Sequence, residues 1–171
     1  GVYGATIKSY TVTVDGAAYS GASVLSNVLT KAGTVAVVAK VTDSRGRTAT
    51  KTVNVTVAAY TQPTLNGITA YRCKSASDAT ADSNGAYICA RPRGSITALN
   101  GQNGKYCTVY YRQQQNGSYS SISVAMSDYV LDTEQVIFAA DNTHSYDIYA
   151  VLRDSFTQVQ TSTIPVMSKS V

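Results

Sequence analysis

Apolar residues in this chain recur at every second position, and that period decides what it can fold into. "TVAVVAKVT" (34–42) places Val35, Val37, Ala39 and Val41 on one side. "TATKTVNVTV" (48–57) does the same with Ala49, Lys51, Val53, Val55 and Val57. A period of two describes a strand, whereas a helix would need 3.6. The intervening "DSRGR" (43–47) is a turn, because Asp and Ser bond their own backbone and Gly46 tolerates positive φ. The two runs therefore make a hairpin. "IKSYTVTV" (7–14) alternates in the same way and ends at "DG" (15–16), a second turn signal. Further strand patterns fall at 67–73, 86–94, 105–114, 119–126, 135–140 and 145–155, with a last strand after them. Polar loops at 74–85, 100–104 and 115–118 separate several of these runs. No helix signal exceeds one turn. Composition agrees: the chain has 13 Tyr, 2 Phe and no Trp, and only 14% of its residues are charged, against about a quarter in most soluble domains.

Strands of this length, with turn signals about every 8–12 residues, predict an all-β fold of tandem immunoglobulin/fibronectin-like β-sandwiches. The tandem reading comes from an internal match. "VTDSRGRTATKTVNVTV" (41–57) lies over "LRDSFTQVQTSTIPV" (152–166) at one offset without a gap. Asp43 falls on Asp154, Ser44 on Ser155, Val41 on Leu152, Ala39 on Ala150, Val53 on Ile164 and Val55 on Val166. "IKSYTVTVDGAAYSG" matches "YCTVYYRQQQNGSYSS" in the same order. The linker "AAYTQP" (58–63) sets the boundaries at 1–59 for a shortened Ig-like unit and 60–171 for a complete one. About 40 residues precede the match in the second unit and only a handful in the first. The first unit is thus expected to be shortened or N-terminally clipped, with an open core and an unpaired sheet edge. Gly1 in place of an initiator Met fits an excised piece of a longer protein. Units in series contact chiefly their neighbours, so repetition adds reach.

Several function classes find little support. Six basic residues oppose two acidic ones in residues 1–59, while residues 60–171 are balanced, so the net +4 is not a nucleic-acid patch. No apolar run approaches the roughly 18 residues that span a bilayer. His144 is the only histidine; Ser145 and Asp147 lie near it without a nucleophile elbow, so it reads as an exposed turn residue. Five acids (Asp128, Asp132, Glu134, Asp141 and Asp147) lie in or beside loops, and nothing pairs any two for glycoside cleavage. Asp78, Asp82 and Asn84 lack the spacing of a calcium loop. No metal, cofactor or catalytic residue is expected, and the chain is read as a non-enzyme. Cys73, Cys89 and Cys107 lack metal-ligand spacing and read as free buried thiols, with a Cys73–Cys89 bridge as the alternative. Arg91 and Arg93 of "RPR" share one side of a strand, near Arg72 and Lys74 if those strands pair. An edge strand guarded by charge and Pro is the preferred reading, an anion contact the other. Asn54 and Asn116 begin glycosylation-type triplets of the kind expected by chance in a Ser/Thr-rich chain.

The tyrosines are the remaining candidates. Tyr10, Tyr106, Tyr110 and Tyr146 lie on alternating strands, and Tyr111, Tyr119, Tyr129 and Tyr149 are assigned outward. A ligand surface for sugar or protein would use Tyr111, Tyr119, Tyr129 and Arg93. Against it stands the plainer view that Tyr replaces Trp and Phe in the core and along sheet edges.

"GATIKSYTVTVDG" (4–16), "AKVTDSRGRTATKTVNVTVAAYTQP" (39–63) and "ITAYRC" (68–73) together resemble the minor structural or tail proteins of siphoviruses and prophages of Gram-positive bacteria. The closing "TSTIPVMSKSV" (161–171) also resembles that family's exit from its last such unit, where a Gly-rich segment usually follows. The resemblance implies a non-enzymatic structural or adhesive virion part with Ig- or fibronectin-like domains, made in the bacterial cytoplasm. It carries over no catalytic residues. Its implied role is to space or present a host-binding part of a tail or baseplate, with other tail or baseplate proteins as partners and an oligomer in the full-length protein. The alternative is a carbohydrate-binding module for cell-wall polysaccharide, or a bacterial surface adhesin.

Overall fold

The computed structural model describes residues 2–169. The chain divides into two compact units, residues 1–60 and 61–171, and is all-β apart from a short 3-10 stretch at Val2–Gly4.

The first unit contains β1 (Ile7–Val14), β2 (Ala17–Ser20), β3 (Gly33–Asp43) and β4 (Thr48–Val57). They form one antiparallel sheet in the order β2-β1-β3-β4. Asp15 and Gly16 form the two-residue β1–β2 turn, with φ of 46° and 83°. Positive φ at both central residues is what a hairpin turn matched to strand twist requires. Register pairs Val35 with Val55 and Val37 with Val53, and across β1 it pairs Val12 with Ala39 and Val14 with Val37. One face therefore carries mostly Val, Ala and Tyr, with Lys51 among them, and the other mostly Thr, Ser, Lys and Asn, with Ala36 and Val38 among them. Among the described residues this unit has a single layer. Val14 and Val35 are buried, yet Val53 remains 51% and Val55 38% exposed. A half-apolar sheet ordinarily covers such a face, and here much of it lies open.

The second unit contains β5 (Thr64–Ser75), β6 (Asp78–Ala81), β7 (Tyr87–Ser95), β8 (Tyr106–Gln113), β9 (Ser120–Val124), β10 (Val130–Leu131), β11 (Val136–Ala139), β12 (Tyr146–Arg153), β13 (Gln158–Gln160) and β14 (Ile164–Val166). Two antiparallel five-stranded sheets result. One runs β10-β7-β5-β6 with β11 also on β7; the other runs β13-β12-β8-β9 with β14 also on β12. They share one apolar core, to which Ile68, Ile88, Ala90 and Phe138 come from the first sheet and Val109, Ile148, Ala150 and Leu152 from the second. Each fully buried aliphatic side chain of this kind contributes about 1.5–3 kcal/mol. Gly94 has no room for a side chain: an added Cβ would lie 2.5 Å from the carbonyl oxygen of Thr64, on the neighbouring strand of its own sheet, and 3.1 Å from Leu152 Cδ2 of the facing sheet.

The strand that holds "RPR" is central, not an edge. β7 pairs with β5 on one side and with β11 and β10 on the other. Pro92 is tolerated there because β11 engages residues 87–90 and β10 residues 94–95, leaving the gap between them at the proline. Arg72 does not join Arg91 and Arg93. Its register partner is Ile88, whereas Arg91 pairs with Thr69, so Arg72 points to the opposite, inner face. There the Arg72 guanidinium donates to the carbonyls of Met167 (2.7 Å), Gly85 (3.2 Å), Ala140 (3.5 Å), Asp141 (3.3 Å) and His144 (2.6 Å).

The order β9-β8-β12, continued by β13 and β14, repeats the order β2-β1-β3-β4 of the first unit. The Asp-Ser turns repeat as well. Asp43 Oδ1 accepts the backbone N–H of Arg45 and Arg47, both at 2.9 Å. Asp154 Oδ1 accepts those of Phe156 (2.7 Å) and Thr157 (2.8 Å). Ser44 Oγ takes the N–H of Thr6 at 3.3 Å, and Ser155 Oγ that of Gly104 at 2.7 Å. In each unit the serine ties the turn to the residues just before the neighbouring strand.

Cys73, Cys89 and Cys107 are free and buried, as expected. Cys73 pairs in register with Tyr87, and Cys89 with Tyr71, so the two thiols sit two residues out of step on neighbouring strands. Cys107 lies in the core, and burial pushes its thiol up to about 12.

Candidate functional site

Cys107, Val109, Ile148, Ala150 and Leu152 face the core, so the residues between them on β8 and β12 face outward. Register then builds rows across the outer surface of that sheet. Tyr110 stands beside Tyr149 and Ser121; Thr108 beside Val151 and Ser123; Tyr106 beside Arg153. The middle row is short-sided and the rows on either side are tall. A trough of about 420 Å³ results, lined among others by Tyr106, Thr108, Tyr110, Ser123, Val151 and Arg153.

The walls are stacked. Tyr110 and Tyr149 lie ring on ring, with centroids 4.9 Å apart and planes 8° from parallel. Tyr119 meets Tyr149 edge-on at 5.0 Å, and the Arg112 guanidinium sits 4.7 Å over Tyr119. Burial, then the neighbouring Tyr110 and Tyr119, raises the Tyr149 hydroxyl above its ordinary pKa. On the opposite wall the Arg153 guanidinium lies 4.3 Å from the Tyr106 ring centre. Among the described residues Arg153 has no carboxylate partner, and Tyr106 is 51% exposed. Arg112, by contrast, pairs with Asp147 at 3.2 Å.

The four residues singled out from sequence are not brought together. Tyr111 faces inward, its ring stacked 3.9 Å from Phe138, because Ile148, its register partner, belongs to the core. The outward assignment therefore fails for Tyr111 and holds for Tyr149. Tyr119 stands at the far side of the tyrosine row from the trough. Tyr129 packs against the core and donates its hydroxyl to the Asn103 carbonyl at 2.9 Å, with Lys105 Nζ 5.1 Å from its ring centre. Arg93 lies on the other sheet and donates to the carbonyls of Pro92 and Glu134. The residues missed were Tyr106, Tyr110, Tyr149 and Arg153 as a set. Their signal was the parity of "YCTVYYR": if Cys107 and Val109 are core, Tyr106, Thr108, Tyr110 and Arg112 must face out.

The loops hold compact local networks. His144 Nδ1 lies 3.1 Å from Asp141 Oδ2 and 2.9 Å from Thr143 Oγ1, while Ser145 Oγ accepts the Ser168 N–H. Asp78 accepts the Thr80 N–H, and Asp82 that of Asn84. Among the described residues no three His, Cys, Asp or Glu converge as metal ligands. The Thr80 hydroxyl and N–H hold the Asp78 carboxyl below its ordinary pKa, and the Thr143 N–H and hydroxyl, then His144, do so for Asp141. A carboxylate whose folded pKa is depressed adds stability above its unfolded pKa, about 3.9, and loses it as pH falls through the folded value. The thermal midpoint should therefore hold steady from about pH 7 to pH 5 and decline below about pH 4. A midpoint that rises on acidification would contradict these assignments.

Fold and surface together define an all-β protein of antiparallel sheets with an aromatic, basic trough on one sheet face of its second unit. The chain belongs to a family of siphovirus proteins: the model described as "Siphovirus protein of unknown function (DUF859)" matches residues 1–171. Membership supports a virion-associated structural protein of the phage. No curated protein matches the chain.

Proposed function

We propose that this chain is a non-enzymatic structural module of a siphovirus tail or baseplate, made of tandem immunoglobulin/fibronectin-like units that space or present a host-binding part. The observation that carries this reading is the recurrence of one four-column sheet order, with the same Asp-Ser turn, in both units. A protein whose task is reach gains it by adding units. The two facing sheets of the second unit fit an Ig/fibronectin-like sandwich. Other tail or baseplate proteins are its partners. Mass spectrometry of tails separated from heads after virion disruption should recover this sequence with the tail fraction. Recovery only with heads, or from infected cells but not particles, would overturn the placement.

The trough favours a second reading, in which the second unit itself contacts a host cell-wall polysaccharide. Aromatic rings, hydroxyls and a free guanidinium on one face are the groups such a surface uses. Saturable, strain-dependent pelleting of the chain with purified Gram-positive walls is the expected result.

A further inference from the structure

The trough has a chemical bias that narrows its ligand. Thr108 and Ser123 bring hydroxyls to its short middle row, Tyr110 stands on one wall, Tyr106 and Arg153 share the other, and Lys105 also lines it. No Asp or Glu lines it. The Lys105 ammonium is already engaged by the Ser127 carbonyl at 2.6 Å, whereas the Arg153 guanidinium lies over the Tyr106 ring and has no carboxylate partner among the described residues. A planar fork held over an aromatic ring, with no carboxylate to neutralise it, is pre-oriented for an oxyanion. The half-exposed Tyr106 offers apolar contact beside it, as the C–H face of a sugar or polyol requires.

Resting on the host-contact reading, we propose that this trough binds a negatively charged saccharide chain, with Arg153 on its phosphate or carboxylate and Tyr106 against its carbon skeleton. Two other classes fit less well. A peptide added as a strand runs along a sheet edge, whereas the trough runs across the face of the sheet, from Ser123 of β9 over β8 and β12 to Gln158 of β13. A nucleic acid needs a broad basic surface, and residues 60–171 carry as many acids as bases. The trough's size, within the range of small-ligand clefts, suits a short chain segment.

The test is calorimetric titration of the whole chain with poly(glycerol phosphate), with polygalacturonate and with neutral dextran, each at low and at 0.5 M salt. Binding of one or both charged polymers, weakened by salt and absent for dextran, is expected; which of the two binds names the anion. Arg153→Gln and Tyr106→Ala should each weaken that binding at least about tenfold, roughly what loss of one charge-assisted contact does. Arg91→Gln, on the other sheet, should leave it unchanged. Arg153 and Tyr106 are exposed, and an unshifted melting curve confirms that each variant folds. Equal binding of dextran, no binding of any polymer, or an unaffected Arg153→Gln variant would each overturn the proposal. Pelleting with walls separates it from the reading beneath it. Pelleting that survives removal of the walls' anionic polymers leaves a host contact but refutes the charged ligand; no pelleting at all removes both.

Discussion

Arg72→Ala should destabilise the second unit by about 3–5 kcal/mol, measured as a shift in the denaturation midpoint at unchanged slope. The side chain is only 5% exposed, and its five N–H groups serve five carbonyls. Those carbonyls belong to the loop after β6 (Gly85), the β11–β12 connection (Ala140, Asp141 and His144) and the residue after β14 (Met167). One guanidinium thus closes one end of the core across three chain segments. Truncation leaves several carbonyls without donors, and each one kept from water costs about 1–3 kcal/mol before relaxation. None of the five acceptors is a carboxylate, so the loss should barely change between low and high salt. Arg72→Lys should rescue little, because an ammonium has three donors and no planar fork. A midpoint within error of wild type, or a loss that vanishes in high salt, would refute this role.

Asp154→Ala should cost about 2–4 kcal/mol, while Asp43→Ala, its counterpart in the first unit, should cost a small fraction of that. Both carboxylates accept two backbone N–H groups in their turns. Asp154 is 1% exposed and also takes Asn103 Nδ2 at 3.3 Å. Asn103 in turn donates Nδ2 to the Thr97 carbonyl and accepts the Ser155 N–H. Losing Asp154 therefore loosens a buried network that joins two loops. The Asp43 side chain is 15% exposed, and its further partner is the exposed Arg47 at 2.7 Å, an ion pair of modest worth at the surface. Denaturation of the two variants side by side checks the contrast. Equal losses would mean that the turn geometry matters and its burial does not. Asp154→Asn, which keeps one acceptor oxygen for the N–H groups, should recover part of the loss.

Much of this protein was legible along the chain because alternation and turn chemistry are local. Val35 to Val41 and Ala49 to Val57 predicted a hairpin, and the residues of "DSRGR" and "DG" carry the turns that close β3–β4 and β1–β2. Asp43 and Asp154 could be matched by spacing alone, and each accepts two backbone N–H groups of its turn. The thiols read correctly as buried because each lies within a strand pattern. The candidate site was half legible. Alternation says that Tyr110 and Tyr111 point opposite ways, but not which way; that needed Cys107 and Val109 to be known as core.

What only the tertiary structure decided depends on partners far off in sequence. Arg72 looks like any strand arginine until its acceptors, 13 to 95 residues away, are in place. "RPR" reads as an edge strand because Pro lacks a donor; the gap between β10 and β11 that admits it inside a sheet cannot be seen from the strand itself. The sequence alone determined which residues alternate, where the chain turns and that the turn motif occurs twice. Which face meets a second sheet was decided by folding, since burial follows from what packs opposite a strand and not from the strand's own pattern.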